Sequence, residues 1–128
     1  MADPQFLLDA NLCIYVLQGA SPMVRERLER HAPGAVVTSA IVYAEVMRKI
    51  NPADHAEYAK AAAFFSIIPV MPFDAAAALI YRAVPFRRGS FDRLIAAHAL
   101  ALKLIVATNN VGDFTDVPGL RVENWTVA

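Results

Sequence analysis

Short apolar runs, each closed by polar or turn-forming residues, recur along the chain and predict buried β-strands. Longer stretches lie between them, where capping residues at the start and glycine or proline at the end predict helices. The proline in the third run places that strand at a sheet edge or at a strand end, because proline has no backbone N–H to donate. The five runs are residues 5–8, 35–38, 67–70, 104–107 and 120–123.

Five of the six predicted helices follow a residue whose side chain can accept a hydrogen bond from the free N–H groups of the first turn. The helices are predicted to end near residues 18, 31, 50, 66, 84 and 102, with one further turn at 111–114, and the caps include Asp9 or Asn11, Ser21, Ser39, Asp54 and Asp74. Because strands alternate with helices, we expect parallel pairing through right-handed crossovers. The prediction is one α/β domain, residues 1–128: a three-layer α/β/α sandwich whose mainly parallel central sheet has about five strands.

The apolar content is high for a domain of this size. At 57% of 128 residues, it exceeds the roughly 45–50% of an average soluble domain. The excess indicates apolar surface covered by a second chain, as in a homodimer or a permanent complex with another protein; the alanine content is a simpler explanation. No apolar run reaches the roughly 18 residues of a membrane span, and no basic N-terminal segment precedes one. We therefore expect no membrane contact and a cytoplasmic location.

Charge, cysteine and histidine content narrow the possible functions. The formal net charge is zero, so any nucleic-acid contact must come from local basic clusters rather than from an overall positive field. The single cysteine, Cys13, lies in the apolar segment LCIYVL and is expected in the core. His98 lies among alanines and leucines and is also expected to be a core residue. The three histidines lack metal-ligand spacing, which argues against a zinc site.

Four acidic residues in apolar or tightly turned segments are the strongest sign of chemistry. Asp9 follows the first predicted strand and Asp113 follows the fourth by a short turn, so both emerge at the sheet edge where ligands bind in parallel α/β folds. Asp92 lies in the first turn of a predicted helix, and Glu45 lies near the start of another. Each has an ordinary alternative role: Asp9 as a helix cap, Asp113 as a turn residue, Asp92 in the helix dipole and Glu45 in an ion pair with Arg48 or Lys49.

Glu45 is the most informative of these acids. Ile41 and Val42 are apolar and lie one turn earlier on the same face of the helix. This pattern favours a Glu45 side chain directed inward, toward the edge of the sheet. For Asp113, the nearby Asp116 is an alternative candidate for the same role.

Taken together, the four acids indicate a divalent-cation site. Carboxylates that meet near strand ends and helix starts repel one another unless a cation lies between them. Mg²⁺ and Mn²⁺ prefer oxygen ligands, and one or two such ions activate water and stabilise charge at phosphorus. The expected reaction is hydrolysis of a phosphodiester, which requires these features and no covalent nucleophile.

The segments that carry these acids resemble the PIN-domain family, and within it the VapC-type ribonuclease toxins of bacterial toxin–antitoxin pairs. The likeness covers nearly the whole chain and is most specific from Asp92 to Asp113. It implies a compact α/β/α sandwich, dependence on Mg²⁺ or Mn²⁺, cleavage of RNA, a homodimer and inhibition by a cognate antitoxin. The matching segments are LLDANLCIYVL, TSAIVYAEVMRKI, FDRLIAAHALALKLIVATNNVGDF and VPGLRVENW.

The resemblance also implies roles for individual residues. It assigns all four acids to the family's acidic cluster, with Asp9 and Asp92 as the principal metal ligands. Glu45 and Asp113 would complete the charge cage and orient the attacking water. Asn11 and Thr108 resemble the family's polar supporting positions, which hydrogen-bond the acids.

The chain departs from the family pattern at two places. Ala10 stands where threonine or serine is usual, so one supporting hydroxyl is missing. The segment PFRRGSF before Asp92 is shorter than the usual glycine-containing loop, which changes the entrance for RNA. Arg87, Arg88 and Arg93 flank Asp92 and are candidates for RNA phosphate contacts; solvated surface charges and partners for an antitoxin's acidic side chains are equally open roles.

Three classes of function compete at this point. A metal-dependent endoribonuclease accounts for all four acids. A binding module with a vestigial site, acting through an antitoxin or another partner, is favoured by Ala10 and by the short loop. A phospho-acceptor receiver domain would need an acidic pair after the first strand and an aspartate directly after the third. The chain instead has Asp9 beside Ala10, and Met71 and Pro72 directly follow the third run, so this class fits poorly.

Overall fold

The computed structural model describes residues 1–128 and contains one five-stranded sheet and six α-helices. The strands are β1 (Phe6–Leu8), β2 (Val36–Ser39), β3 (Val70–Met71), β4 (Ile105–Thr108) and β5 (Val122–Asn124). Their order across the sheet is β3-β2-β1-β4-β5, and every neighbouring pair is parallel. The predicted α/β/α architecture is therefore confirmed. The order also differs from the 2-1-3-4-5 order of receiver folds.

Two strands lie a few residues from where the apolar runs place them. Ile67 is the last residue of a helix rather than the first of a strand, and β3 starts only at Val70. Pro69 still contributes its carbonyl oxygen, which accepts a hydrogen bond from the Thr38 N–H at 2.9 Å. As the proline indicated, β3 is an edge strand. The fifth strand begins two residues later than predicted, at Val122.

Side-chain capping explains where most of the helices begin. Five predicted caps accept a hydrogen bond from a backbone N–H in the first turn: Asp9, Ser21, Ser39, Asp54 and Asp74. The fifth helix is shorter than predicted and continues as a 3-10 turn at Tyr81–Ala83. No helix combines the length and the apolar character needed to cross a membrane. The helices are α1 (Ala10–Gln18), α2 (Pro22–Glu29), α3 (Ala40–Arg48), α4 (His55–Ile67), α5 (Ala75–Ile80) and α6 (Phe91–Leu102).

The central strands hold the core and position the edge of the sheet where the acids lie. Leu8 at the end of β1 is paired in register with Ala107 in β4, and both side chains are fully buried. Asp9 directly follows Leu8, and Thr108 directly follows Ala107. These two residues therefore lie side by side at the carboxyl edge of the sheet. The Asp9 N–H donates to the carbonyl oxygen of Ala107 at 3.0 Å, which fixes the backbone of Asp9 to β4.

Candidate active site

Asp9 lies at the centre of the carboxyl edge of the sheet and is almost fully buried. Its Oδ1 accepts a hydrogen bond from the Leu12 N–H at 3.1 Å, as an N-cap of α1. Its Oδ2 accepts a hydrogen bond from the hydroxyl of Thr108 at the end of β4. The helix-cap role is thus real, and it orients a carboxylate that faces the other acids.

The environment of Asp9 destabilises the charged form of its carboxylate. Burial raises the pKa of Asp9 from 3.8 to about 6, although the hydrogen bonds from Thr108 and Leu12 lower it. The negative charges of Asp92 and Asp113 raise this pKa further. The three aspartates therefore share one electrostatic environment, although they are far apart in the sequence.

Glu45, in α3, belongs to the same environment. Its Oε1 atom is buried and has no hydrogen-bond partner in the protein, and it forms no salt bridge with Arg48 or Lys49. Burial raises the pKa of Glu45, and so do the charges of Asp92 and Asp9, whereas Lys49 lowers it. The side chain is directed inward, and the surface ion pair that we considered as an alternative does not form.

The other two acids, Asp92 and Asp113, come from α6 and from the turn after β4. Asp92 lies in the first turn of α6, and Asp113 lies in the 3-10 turn at Val111–Asp113 after β4. Burial raises the pKa of Asp92, and the neighbouring Asp113 raises it further, while Arg93 and Arg87 lower it. Both side chains are half-buried.

The four predicted acids therefore influence one another, but they are not closed around an ion position. No group of three or more histidine, cysteine, aspartate or glutamate side chains is arranged tightly enough to hold a metal ion as it stands. A cation site formed by these acids therefore stays a prediction. Burial is the largest cause of the raised pKa values of Asp9, Glu45 and Asp92, and neighbouring carboxylates raise these values further.

Three arginines were candidates for contacts with RNA phosphates. Arg93 is buried, so the prediction is wrong for this residue. Its guanidinium is fully buried and forms a salt bridge with Asp116 at 3.0 Å. It also donates to the carbonyl oxygens of Pro85, at 3.4 Å, and of Asp113. The partner Asp116 lies 23 residues away, so no local sequence signal could reveal that Arg93 is enclosed.

The other two arginines are exposed but differ in their contacts. Arg87 pairs with Asp116 at 3.4 Å, whereas Arg88 has no salt bridge. Asp116 is thus occupied by arginines and does not take the place of Asp113 in the acidic site. Sequence reasoning missed this structural role of Asp116, because its distance from Arg93 along the chain hides the pairing.

The supporting residues also differ from each other. Thr108 donates to Asp9 and accepts a hydrogen bond from the Asn110 N–H at 3.0 Å. Asn11 is exposed and donates to the side chain of Asn109 at 3.3 Å, so the expected hydrogen bond from Asn11 to an acid is absent. Asn109 in turn donates to the Tyr15 hydroxyl at 3.2 Å. Asn11 therefore connects α1 to the turn after β4.

His98 and Cys13 are core residues, as expected. The Nδ1 atom of His98 lies 2.8 Å from the Ser39 hydroxyl oxygen, and its ring packs edge-on against Phe73 with centroids 5.3 Å apart. Burial lowers the pKa of His98 and raises the pKa of the fully buried Cys13 thiol. Neither side chain is available as a metal ligand or a nucleophile at neutral pH.

Known proteins match this chain over nearly its full length. The PIN domain family profile matches residues 6–120. A protein of Shigella flexneri named tRNA(fMet)-specific endonuclease VapC is 35% identical over 95% of this chain and 98% of its own length. The protein of the same name from Salmonella typhimurium is 31% identical, over 94% of this chain and 98% of its own.

Solved structures show the same fold. VapBC2 from Rickettsia felis, crystallised bound to a DNA fragment from its promoter, has a chain that superposes with a TM-score of 0.84 at 27% identity. The match covers 94% of this chain and 98% of that one. Because the family profile spans residues 6–120 and two relatives above 30% identity match nearly end to end, this chain belongs to the PIN-domain family, and the resemblance to its VapC-type ribonucleases is confirmed.

Proposed function

We propose that this chain is a divalent-metal-dependent endoribonuclease of the VapC type, the toxin component of a toxin–antitoxin pair. The observation that supports it best is the environment of Asp9: a buried carboxylate with a pKa of about 6, raised by burial and by the charges of Asp92 and Asp113. Relatives named as endonucleases and ribonucleases support the same activity. RNA is therefore the proposed substrate.

The side chains at this edge of the sheet suit Mg²⁺ or Mn²⁺. All four are carboxylates, the donors that hard divalent cations prefer. Glu45 offers a buried Oε1 atom that no protein group satisfies, and a buried oxygen of this kind is destabilising unless it finds a partner. Asp9, Asp92, Glu45 and Asp113 are the residues that would hold the cation.

Different residues of the chain position the metal-binding carboxylate, the attacking water and the RNA. Asp9 is held in one orientation by the Leu12 N–H and the Thr108 hydroxyl. The Oε1 atom of Glu45 is free of intramolecular bonds and is suited to orient an attacking water and accept its proton. A bound divalent cation supplies activation of that water and stabilisation of charge at phosphorus. Arg88, and Arg87 to a lesser extent because of its pairing with Asp116, would contact phosphates of the RNA backbone.

The first test is cleavage of RNA by the purified chain with and without Mg²⁺. Asp9→Asn and Asp92→Asn each remove one negative charge while keeping the size of the side chain. We expect either variant to lose at least about a hundredfold in cleavage rate. Chelation of the metal with EDTA should abolish cleavage by the wild type.

Asp54→Asn is the matched control. Asp54 caps α4 and is exposed, and asparagine is an equally good N-cap. This variant should cleave RNA at the wild-type rate. Undiminished cleavage by the Asp9 and Asp92 variants at saturating Mg²⁺ would exclude the proposed site.

An antitoxin and a second copy of this chain are the proposed protein partners. The structural relatives are solved as VapBC complexes, and large apolar side chains such as Ile67, Leu79 and Tyr58 are exposed here. These side chains are candidates for the surface that a protein partner would cover. Sedimentation of the purified chain should give the mass of a dimer, and a monomer at micromolar concentration would contradict the homodimer.

A binding module with a weakened acidic site is the second proposal. It is supported by Ala10, which lacks the supporting hydroxyl, and by the absence of a group of three or more acids placed to hold a metal ion. This alternative predicts a stable complex with the antitoxin but no EDTA-sensitive release of RNA fragments. Sequencing of RNA 5′ ends after brief induction of the wild type and of Asp9→Asn separates the two proposals.

A further inference from the structure

An open pocket of about 530 Å³ lies beside the acidic site. Five of its lining residues are on α3 or directly follow it, and the sixth begins α6. The pocket includes Glu45, so it is continuous with the proposed reaction centre. It is lined by Ile41, Ala44, Glu45, Arg48, Lys49 and Phe91.

The rim of this pocket carries free positive charge. Arg48 and Lys49 are exposed, and neither forms a salt bridge with any carboxylate of the chain. Two unpaired cations thus line the same pocket as Glu45, which suits an anionic ligand that extends past the acidic site.

An aromatic ring also lines the pocket. Phe91 is the first residue of α6 and directly precedes Asp92, and it is 56% exposed. An aromatic face beside cations is the combination that binds single-stranded nucleic acid. Phe91 therefore presents a stacking surface one residue away from a proposed metal ligand.

We infer that this pocket binds one nucleotide of the RNA substrate next to the scissile phosphate. The base stacks on Phe91, and the adjoining phosphate lies against Arg48 and Lys49. The pocket volume is within the range of roughly 300–1,000 Å³ typical of small-ligand sites. Because stacking does not depend on hydrogen bonds to base edges, the subsite positions the strand rather than selecting a base. This inference rests on the proposed ribonuclease function.

The test measures binding of a fluorescently labelled, single-stranded 20-nucleotide RNA of mixed sequence across a salt series. All proteins carry Asp9→Asn so that the RNA stays intact. Phe91→Ala should weaken binding about tenfold at every salt concentration, since stacking is lost but no charge is. Phe91→Trp should restore the affinity.

Arg48→Gln should instead change how strongly the RNA affinity depends on salt. Loss of one phosphate contact reduces the slope of log Kd against log salt by about 0.7, the value for single strands. The variant should therefore match its parent at high salt and bind more weakly at low salt. Lys49 is kept unchanged so that only one of the two cations lining the pocket is removed.

Two variants outside the pocket serve as matched controls. Tyr58→Ala removes an aromatic ring from α4 at a residue that is 55% exposed and does not line the pocket. Lys60→Gln removes an exposed charge from α4. Both controls should bind RNA with the affinity and salt slope of the parent.

The outcomes separate the subsite from the ribonuclease proposal. If the chain with Asp9 intact cleaves RNA but the Phe91 and Arg48 variants bind RNA as the parent does, the subsite alone is wrong. If Phe91→Ala changes the sedimentation mass and not the RNA affinity, the pocket is an interface between copies and the subsite is again wrong. If the chain neither binds nor cleaves RNA, both proposals fail.

Discussion

At the scale of single residues, Asp9 serves the fold and the site with the same carboxylate. One oxygen caps α1 through the Leu12 N–H, and the other accepts the Thr108 hydroxyl. Both bonds stabilise the charged form, but burial outweighs them and leaves a pKa of about 6. The native chain therefore carries a destabilising charge at this position near neutral pH, in a place where a cation would remove the penalty.

Asp9→Asn should therefore stabilise the metal-free protein at neutral pH. The folded-state pKa of about 6 lies above the ordinary value of 3.8, so the folded chain binds this proton more tightly than the unfolded chain does. The contribution of Asp9 to stability is highest below about pH 4, falls as the pH rises to about 6, and is a full penalty above that. The gain from Asn at pH 7.5 should be about 1–3 kcal/mol.

Urea unfolding in EDTA at pH 4 and at pH 7.5 measures this difference. The gain should be present at pH 7.5 and much smaller at pH 4, because Asp9 is then protonated in the folded chain and about half protonated in the unfolded chain. Asp54→Asn should show no gain at either pH. An Asp9→Asn protein that is less stable than the wild type at pH 7.5 would show that the charged carboxylate is stabilising.

Thr108→Val should shift the pH dependence of cleavage. The Thr108 hydroxyl lowers the pKa of Asp9, so its replacement by an isosteric methyl group should raise that pKa further. The acidic limb of the rate profile should move to higher pH, and stability should fall by about 1 kcal/mol through the lost buried hydrogen bond. Thr115→Val is the control, because Thr115 is exposed and its hydroxyl bonds only the Gly112 carbonyl oxygen, at 3.4 Å. An unchanged profile for Thr108→Val would contradict the link to Asp9.

At the scale of elements, Arg93 fastens α6 to the turn that carries Asp113. Its guanidinium reaches Asp116 and the carbonyl oxygens of Pro85 and Asp113 from a fully buried position. Asp92 precedes it on α6, so one arginine fixes the relative positions of two of the four acids. This is a positioning role, and it replaces the RNA contact suggested by the sequence.

Arg93→Met should unfold more easily and respond less to Mg²⁺. The substitution removes donors to two backbone carbonyl groups, and the expected loss of stability is about 2–3 kcal/mol. Arg87→Met is the matched control, because Arg87 pairs with the same Asp116 from an exposed position, where ion pairs contribute little. Chemical unfolding compares the two variants. Equal destabilisation by both would show that the contact with Asp116, and not the burial of Arg93, determines the effect.

The sequence predicts these elements well where local chemistry decides them. Apolar runs located the five strands, and five helix caps were identified because a short polar side chain precedes each helix. The third strand was misplaced, because α4 continues through Ile67, an apolar residue that the structure leaves largely exposed. Arg93 was misjudged because its burial depends on Asp116, a tertiary partner. Local patterns carry no information about such contacts.

At the scale of the whole molecule, the proposed site concentrates negative charge in a chain whose net charge is zero. The acids come from the end of β1, from α3, from α6 and from the turn after β4. Parallel topology predicts that strand ends meet at one edge, which brings Asp9 to Thr108 and the turn at Asp113. It does not set the distances among the carboxylates, which depend on the packing of α3 and α6 against the sheet.

Binding of Mg²⁺ should therefore stabilise the entire fold, because it links four remote segments. A ligand that binds only the folded state at one hundred times its Kd adds about 2.7 kcal/mol, which corresponds to a rise in Tm of roughly 5 °C or more for a domain of this size. Thermal unfolding of the wild type and Asp54→Asn in MgCl₂ should show this rise, relative to NaCl at equal ionic strength. Asp9→Asn should start from a higher Tm in EDTA and gain little from Mg²⁺. If the wild type gains no more from MgCl₂ than from NaCl, the four carboxylates do not form a cation site, because general screening then accounts for all the stabilisation.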